Sequence, residues 1–177
     1  MFHQCFDEAG VTDVHEIGCG EGMVSAMMAD WGATVRGCDF SRDIVATAQQ
    51  NFGPRGIRFE ARSVYDLEPT RDSADLMVCC EVLEHVDRPE EALRALAACT
   101  RQWAILSVPR EPIWRVLNMM RGKYIGDLGN TPGHIQHWSR SGFVRLVARH
   151  FEIVRVRSPL PWTMLLCRPL PEPSARS

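Results

Sequence analysis

The residues of this chain best suited to chemistry fall in a glycine-rich stretch, an acidic stretch ending in histidine, and two later histidines. The first stretch is Glu16-x-Gly18-x-Gly20-x-Gly22, with Cys19 and Glu21 between the glycines. Glycines at this spacing let backbone amides approach a ligand where a helix begins. A dinucleotide fingerprint would need a further glycine where this chain has Met23, and no Gly-Lys-Ser/Thr element follows, so neither an NAD site nor a P-loop is indicated. The second stretch is Cys80-Glu81-Val82-Leu83-Glu84-His85-Val86. Its two carboxylates and imidazole are suitable ligands for Mg²⁺, Mn²⁺ or Zn²⁺, although a set of three is incomplete. His134 and His137 follow a glycine-rich run and could act as general bases, alongside His85.

These residues have to be held by alternating strands and helices. Residues 14–17 read as a short strand, with a helix from Met23 to Trp31 after the glycine turn. Residues 33–38 form a second strand, followed by Asp39 and by a helix that Ser41 can cap. Residues 57–60 alternate as a third strand, and Asp75-Leu76-Met77-Val78-Cys79 is the continuous apolar run of a strand buried on both faces. Pro89 opens the next helix, residues 103–108 make a fifth strand, and Ser139 starts a helix to about His150. Two last strands, 151–156 and 162–167, are joined by too short a link for a crossover helix and should pair as an antiparallel hairpin at the sheet edge. The pattern predicts an α/β domain with a mostly parallel sheet over residues 1–167. Residues 168–177, with three prolines, read as a disordered tail. Residues 109–138 interrupt the alternation, and a loop of that length in a compact domain is usually functional.

Composition narrows the partners. The chain has 177 residues, 45% hydrophobic and 24% charged, the size and balance of one globular domain. A formal net charge of −2 lacks the basic excess that duplex nucleic-acid binders use, so no duplex partner is expected. Seven cysteines without a Cys-x-x-Cys pair indicate neither a disulfide framework nor a zinc ribbon. No stretch approaches the length needed to span a bilayer, and the expected location is the cytoplasm.

The Glu-x-Gly-x-Gly-x-Gly turn resembles motif I of class I S-adenosylmethionine-dependent methyltransferases, and Glu81 to Val86 is similar to the Glu-Val-Leu-Glu-His-Val stretch common in small-molecule members such as the ubiquinone-biosynthesis O-methyltransferases. The resemblance covers roughly residues 12–167. It implies a three-layer sandwich around a seven-stranded, mostly parallel sheet of order 3-2-1-4-5-7-6 with strand seven antiparallel. It also implies S-adenosylmethionine as cofactor, with Glu16, Gly18, Cys19, Gly20 and Gly22 around its methionine part and Asp39 on the ribose hydroxyls. Phe40 would cover one face of the adenine, Ser63 and Val64 would read its edge, and Cys80 would touch the methionine end. Gly133 to Arg140 resembles the His-x-x-x-Trp-Thr-Arg segment of small-RNA 3′-end 2′-O-methyltransferases, which adds His134 to Glu81, Glu84 and His85 as a fourth metal ligand.

The function implied is methyl transfer to a hydroxyl of a small metabolite, with 109–138 as a substrate cap carrying Trp114, Tyr124, Trp138, Arg110, Arg115, Arg121 and Lys123. Alternatives are a cofactor-binding module that needs a partner, an RNA-end 2′-O-methyltransferase, which the charge balance disfavours, and a nicotinamide-dependent oxidoreductase, which Met23 disfavours. Relatives usually carry helices before the first strand that cover the cofactor. With about a dozen residues here, the site should be open, or closed by the 109–138 segment, a second subunit or another partner.

Overall fold

The computed structural model describes residues 1–127 and 130–171. In chain order it contains α1 (Phe2–Ala9), β1 (Asp13–Ile17), α2 (Met23–Asp30), β2 (Thr34–Asp39), α3 (Arg42–Phe52), β3 (Arg58–Ala61), α4 (Pro69–Asp72), β4 (Ala74–Cys80), α5 (Pro89–Cys99), β5 (Thr100–Pro109), α6 (Ile113–Met120), α7 (Arg140–Val147), β6 (Phe151–Arg157) and β7 (Trp162–Pro169). The strands form a single sheet in the order β3-β2-β1-β4-β5-β7-β6. β1 to β5 are parallel wherever they pair, and β7 runs antiparallel to both β5 and β6. This is the expected seven-stranded architecture.

Side-chain alternation along the central strands builds two cores, one on each face. Met77, Cys79 and Leu106 point to a face covered by Leu93 and Leu96 of α5 and Phe143 of α7. Leu76, Val78 and Ile105 point to the other, where Ala26 and Met28 of α2, Val45 and Ala48 of α3, and Cys5 and Phe6 of α1 lie. Helix starts follow local chemistry: the Ser41 hydroxyl accepts from Ile44 N–H, the Ser139 hydroxyl from Gly142 N–H, and Pro89 opens α5 where no backbone donor is needed.

Three features differ from the sequence reading. The residues before β1 contain a helix, with Phe2, Cys5, Phe6 and Ala9 at helical spacing, and its aromatic face packs on Trp31. β7 continues through Arg168 to Pro169, because Glu152 and Phe151 of β6 still pair there; residues 172–177 of the expected tail lie outside the described residues. The 109–138 segment contains α6 and is pinched at its base, where Arg110 bridges Trp138 and Glu111 N–H donates to Trp138 O at 2.9 Å. Among the described residues no helix is long and apolar enough to cross a membrane.

Phe6 is buried against Trp31 at 5.2 Å between ring centroids. Phe6→Ala should lower the unfolding free energy by about 3 kcal/mol through lost burial and the cavity left behind. Urea unfolding of the two proteins measures this, and equal midpoints would mean that α1 adds no stability.

Candidate active site

The glycine turn is shaped by contacts that only glycine permits. Gly18 has φ 74°, and a Cβ there would collide with Cγ2 of Val82, from the loop after β4. Gly22 has φ 87°, and a Cβ there would stand 2.8 Å from Phe59. Substitution at either position therefore meets backbone strain and a steric clash together. Gly18 N–H and Cys19 N–H both donate to Cys38 O, at 2.7 and 2.9 Å, so the turn is sewn to the end of β2. Asp39 completes the joint. Its Oδ2 accepts from Gly20 N–H at 3.2 Å and its Oδ1 from Ser41 N–H at 3.0 Å. A carboxylate has about four acceptor positions, which leaves capacity for ligand hydroxyls.

Above this turn lies a cavity of about 560 Å³. Of the residues expected at the cofactor, Gly18, Gly20, Asp39, Phe40, Ser63 and Val64 line it, and Glu81 and His85 form its far wall. Phe40 is 80% exposed at the mouth, and α1 contributes nothing to the lining. Glu16, Cys19, Gly22 and Cys80 lie outside the lining. Glu16 is buried beneath the turn, where it accepts from the buried Ser25 hydroxyl, and Gly22 is the residue before α2. The Cys19 thiol donates to Gly20 O at 3.6 Å, and burial pushes the Cys80 thiol up to about 12. Sequence reasoning did not single out Tyr65 and Asp87. Both line the cavity, and the Tyr65 hydroxyl donates to Asp87 at 2.7 Å across its rim.

The second constellation is assembled by backbone docking. Ile135 N–H and Gln136 N–H donate to Glu84 O at 2.9 and 3.0 Å, and Gln136 Nε2 donates to Val86 O at 3.3 Å. These bonds lay residues 133–136 along the loop after β4. Ligand atoms of Glu84, His85 and His134 consequently lie within 4.8 Å of one another. His85 Nδ1 donates to Gly133 O at 2.9 Å, which leaves Nε2 as the ring's lone-pair nitrogen. Burial, with smaller contributions from His85 and His137, lowers His134 to about 4, so that ring is neutral at pH 7. Glu84 is 2% exposed, and neither of its carboxylate oxygens has a hydrogen-bond partner among the described residues. Burial, with Glu81 adding to it, raises its carboxyl to about 8.

Two of the expected residues stand apart from this cluster. The Glu81 carboxylate accepts from the Ser107 hydroxyl at 2.9 Å and from Trp162 Nε1 at 2.8 Å, on a backbone with φ 60°. Of the four expected ligands the structure brings together Glu84, His85 and His134, while the Glu81 carboxylate is engaged by these two donors. His137 faces Glu111, with Nδ1 3.6 Å from the carboxylate, and is not in the cavity lining. In the 109–138 segment the tryptophans serve packing. Trp114 stacks on His134 at 6.1 Å, contacts Trp162 at 5.9 Å and donates to Thr131 Oγ1, while Trp138 packs on Phe143.

A parallel sheet with an antiparallel seventh strand, and a glycine turn and an acidic residue at adjacent strand ends, define a Rossmann-like class I architecture. Comparison with known proteins agrees. Residues 15–108 match the family described as "Methyltransferase domain", and the chain belongs to that family. It is 30% identical over 116 residues to a ubiquinone biosynthesis O-methyltransferase of Aeromonas salmonicida (strain A449), covering 62% of this chain and 49% of that protein. A Bordetella avium (strain 197N) protein of the same description is 34% identical over 99 residues, covering 53% and 41%. The chain spans about half the length of the curated relatives it matches. Among solved structures, the magnesium protoporphyrin IX methyltransferase of Synechocystis PCC 6803 with bound SAH superposes with a TM-score of 0.71 at 23% identity, over 96% of this chain and 78% of that one. A putative methyltransferase of Haloferax volcanii, in complex with the activator Trm112, gives 0.77 at 13%, over 95% and 88%. Both share the fold.

Burial raises the Glu16 carboxyl from its ordinary 4.5 to about 7, against the hydrogen bonds from Ser25 and with Asp39 adding to the rise. The folded chain therefore holds this proton more tightly than the unfolded chain does. The associated stability is fully present below about pH 4.5 and is lost as pH rises through about 7. Relative to Glu16→Gln, the wild type should lose up to about 3 kcal/mol between pH 4.5 and 8. Denaturant unfolding at several pH values measures the difference. A constant gap between the two proteins would show that Glu16 titrates normally.

Proposed function

We propose that this chain transfers a methyl group from S-adenosylmethionine to a hydroxyl oxygen of a small metabolite, and that a divalent cation held by Glu84, His85 and His134 assists. The observation that carries this reading is the position of His85, which lines the cavity above the glycine turn and also belongs to the three-residue cluster. Donor and acceptor chemistry would meet at that residue. The family match and the O-methyltransferase names of the curated relatives support the reaction class.

The residues suit the cofactor. Gly20 lines the cavity with nothing within 4 Å of where a Cβ would stand, and Asp39 retains acceptor capacity for two ribose hydroxyls. Ser63, Val64 and Phe40 line the same cavity, which supports assigning the first two to the adenine edge and Phe40 to its open face. The sulfonium supplies an already activated methyl group, so the protein's work is alignment and management of the acceptor's proton.

They also suit a cation. Glu84 is a buried carboxyl with no partner for either oxygen, and such a group is costly to ionise unless a positive charge faces it. His85 presents Nε2 because Nδ1 is committed to Gly133 O, the kind of outer hydrogen bond that orients metal-ligating histidines. His134, at about 4, is a weak base at neutral pH and a good neutral ligand. Bound there, a divalent cation would supply Lewis acidity toward the acceptor hydroxyl. We assign the 109–138 segment to covering the acceptor, with residues 1–167 acting as one domain in the cytoplasm. The exposed Phe40 and the position of α1 away from the cavity favour a second copy or a partner protein over the mouth.

Calorimetric titration should show binding of S-adenosylhomocysteine and none of NAD. Asp39→Ala should weaken that binding by about 1.5–3 kcal/mol, the worth of a charge-assisted hydrogen bond. An unchanged affinity in the variant removes Asp39 from the site.

For the cation, Mn²⁺ or Zn²⁺ binding measured directly by calorimetry should be lost in both Glu84→Ala and His134→Ala. Methyl transfer by the wild type should fall on chelation and return with added metal. Full turnover by a metal-free enzyme in excess chelator would overturn the metal assignment while leaving the cofactor assignment standing.

A further inference from the structure

A second cavity, of about 250 Å³, opens over β1, β2 and β3 on the face that α5 and α7 cover elsewhere. Both faces of a parallel sheet are normally capped by helices. Here the connection from β3 to β4 contains only a short 3-10 turn at Val64–Asp66 and the single turn of α4. The uncovered row is polar. His15, Arg36 and Arg58 stand side by side in register across the three strands, with Arg62 just beyond β3.

Positive charge is in excess there. The lining contains four arginines (Arg36, Arg58, Arg62 and Arg71) against Glu60 and Asp72. The carboxylates are already shared. Asp72 accepts from Arg62 at 3.2 Å and from Glu68 N–H at 2.8 Å, and Glu60 pairs with both Arg71 and Arg62. Asp13, at the edge, is divided between Arg36 and Arg101. The Arg58 side chain has no ion pair or hydrogen bond among the described residues, and the buried Nε–H groups of Arg36 and Arg62 have no acceptor there either, although Arg36 Nη2 donates to Asp72 O and Ser73 O. Buried donors without acceptors are rare in folded proteins and mark a place where acceptor oxygens are missing.

We propose that this cavity is a binding site for a small phosphorylated anion. Planar guanidinium groups from β2 (Arg36), β3 (Arg58), the residue after β3 (Arg62) and α4 (Arg71) match the several oxygens of a phosphoryl group, and its double charge answers the cation excess. The site communicates with the first cavity through Arg62, which lines both. Arg62 N–H donates to Asp39 O at 2.8 Å, and the next residue is Ser63 at the expected adenine edge. An anion that draws the Arg62 side chain from Asp72 and Glu60 acts on the segment that shapes the first cavity. Any resulting change in affinity must be reciprocal between the two ligands.

The test is titration of the intact chain with inorganic phosphate and with pyrophosphate, at ionic strength held constant by chloride, with binding measured by calorimetry. Saturable binding of at least one of them at one site per chain is expected. Arg58→Ala, an exposed position whose folding circular dichroism can verify, should weaken it by about tenfold or more, the loss of one charge-assisted contact. Arg145→Ala, on the exposed side of α7, should bind as the wild type does. Non-saturable heats, or equal affinity in Arg58→Ala and wild type, would overturn the site. Because binding is read directly, failure here is distinct from failure of the methyl-transfer reading. Repeating the titration with S-adenosylhomocysteine present reads the coupling through Arg62, and identical affinities would remove that coupling.

Discussion

The contact between Gly18 and Val82 is the constraint around which the site is organised. Val82 sits where a side chain on Gly18 would be, so the turn after β1 and the loop after β4 are packed against each other with no room between them. The neighbouring strands β1 and β4 pair in parallel, which brings both their carboxyl ends to the same edge of the sheet. Close packing there determines how near Asp39, held through Gly20, comes to His85, held on the Val82 loop. Ligands of open α/β sheets bind in such crevices beyond strand ends, and here the width of the crevice is set by a missing Cβ.

A second dependence is the docking of residues 133–136 on the same loop. Glu84 acts twice in this contact: its backbone carbonyl accepts from Ile135 and Gln136, while its side chain faces the histidine that those bonds deliver. The stack of Trp114 on His134, and the hydrogen bond from Trp114 to Thr131, brace the segment from the α6 side. Trp114 therefore helps to fix the backbone that presents His134, while Trp138 packs on Phe143.

Electrostatics ties the two regions together. Burial raises the carboxyls of both Glu16 and Glu84, to about 7 and about 8, yet their surroundings differ. Glu16 has the Ser25 hydroxyl to satisfy it and acts as an internal strut under the glycine turn. Glu84 has no such donor among the described residues. Similar desolvation thus leaves one group structurally complete and the other incomplete, and the incomplete one is beside two imidazoles. Glu81, with two donors of its own, resembles Glu16 in this respect more than its neighbour Glu84.

Much of the fold was legible from local pattern. The apolar run of β4, the caps at Ser41 and Ser139, and the short link between β6 and β7 each act over a few residues, and each appears where expected. So do the glycine turn and Asp39, because backbone freedom and a strand-end carboxylate are local properties. The helix α1 could have been read from the spacing of Phe2, Cys5, Phe6 and Ala9, since its apolar face has the period of a helix. Other features could not be read this way. That Glu81 turns toward Ser107 and Trp162, that Glu16 lies beneath the cavity instead of lining it, and that α4 leaves Arg36, Arg58 and Arg62 over an uncovered face depend on contacts between residues far apart in the chain. Residue types and short-range spacing determined the elements and the chemistry available. Tertiary packing alone decided which carboxylates found donors and which stayed unpaired, because burial and hydrogen-bond partners are properties of the assembled chain.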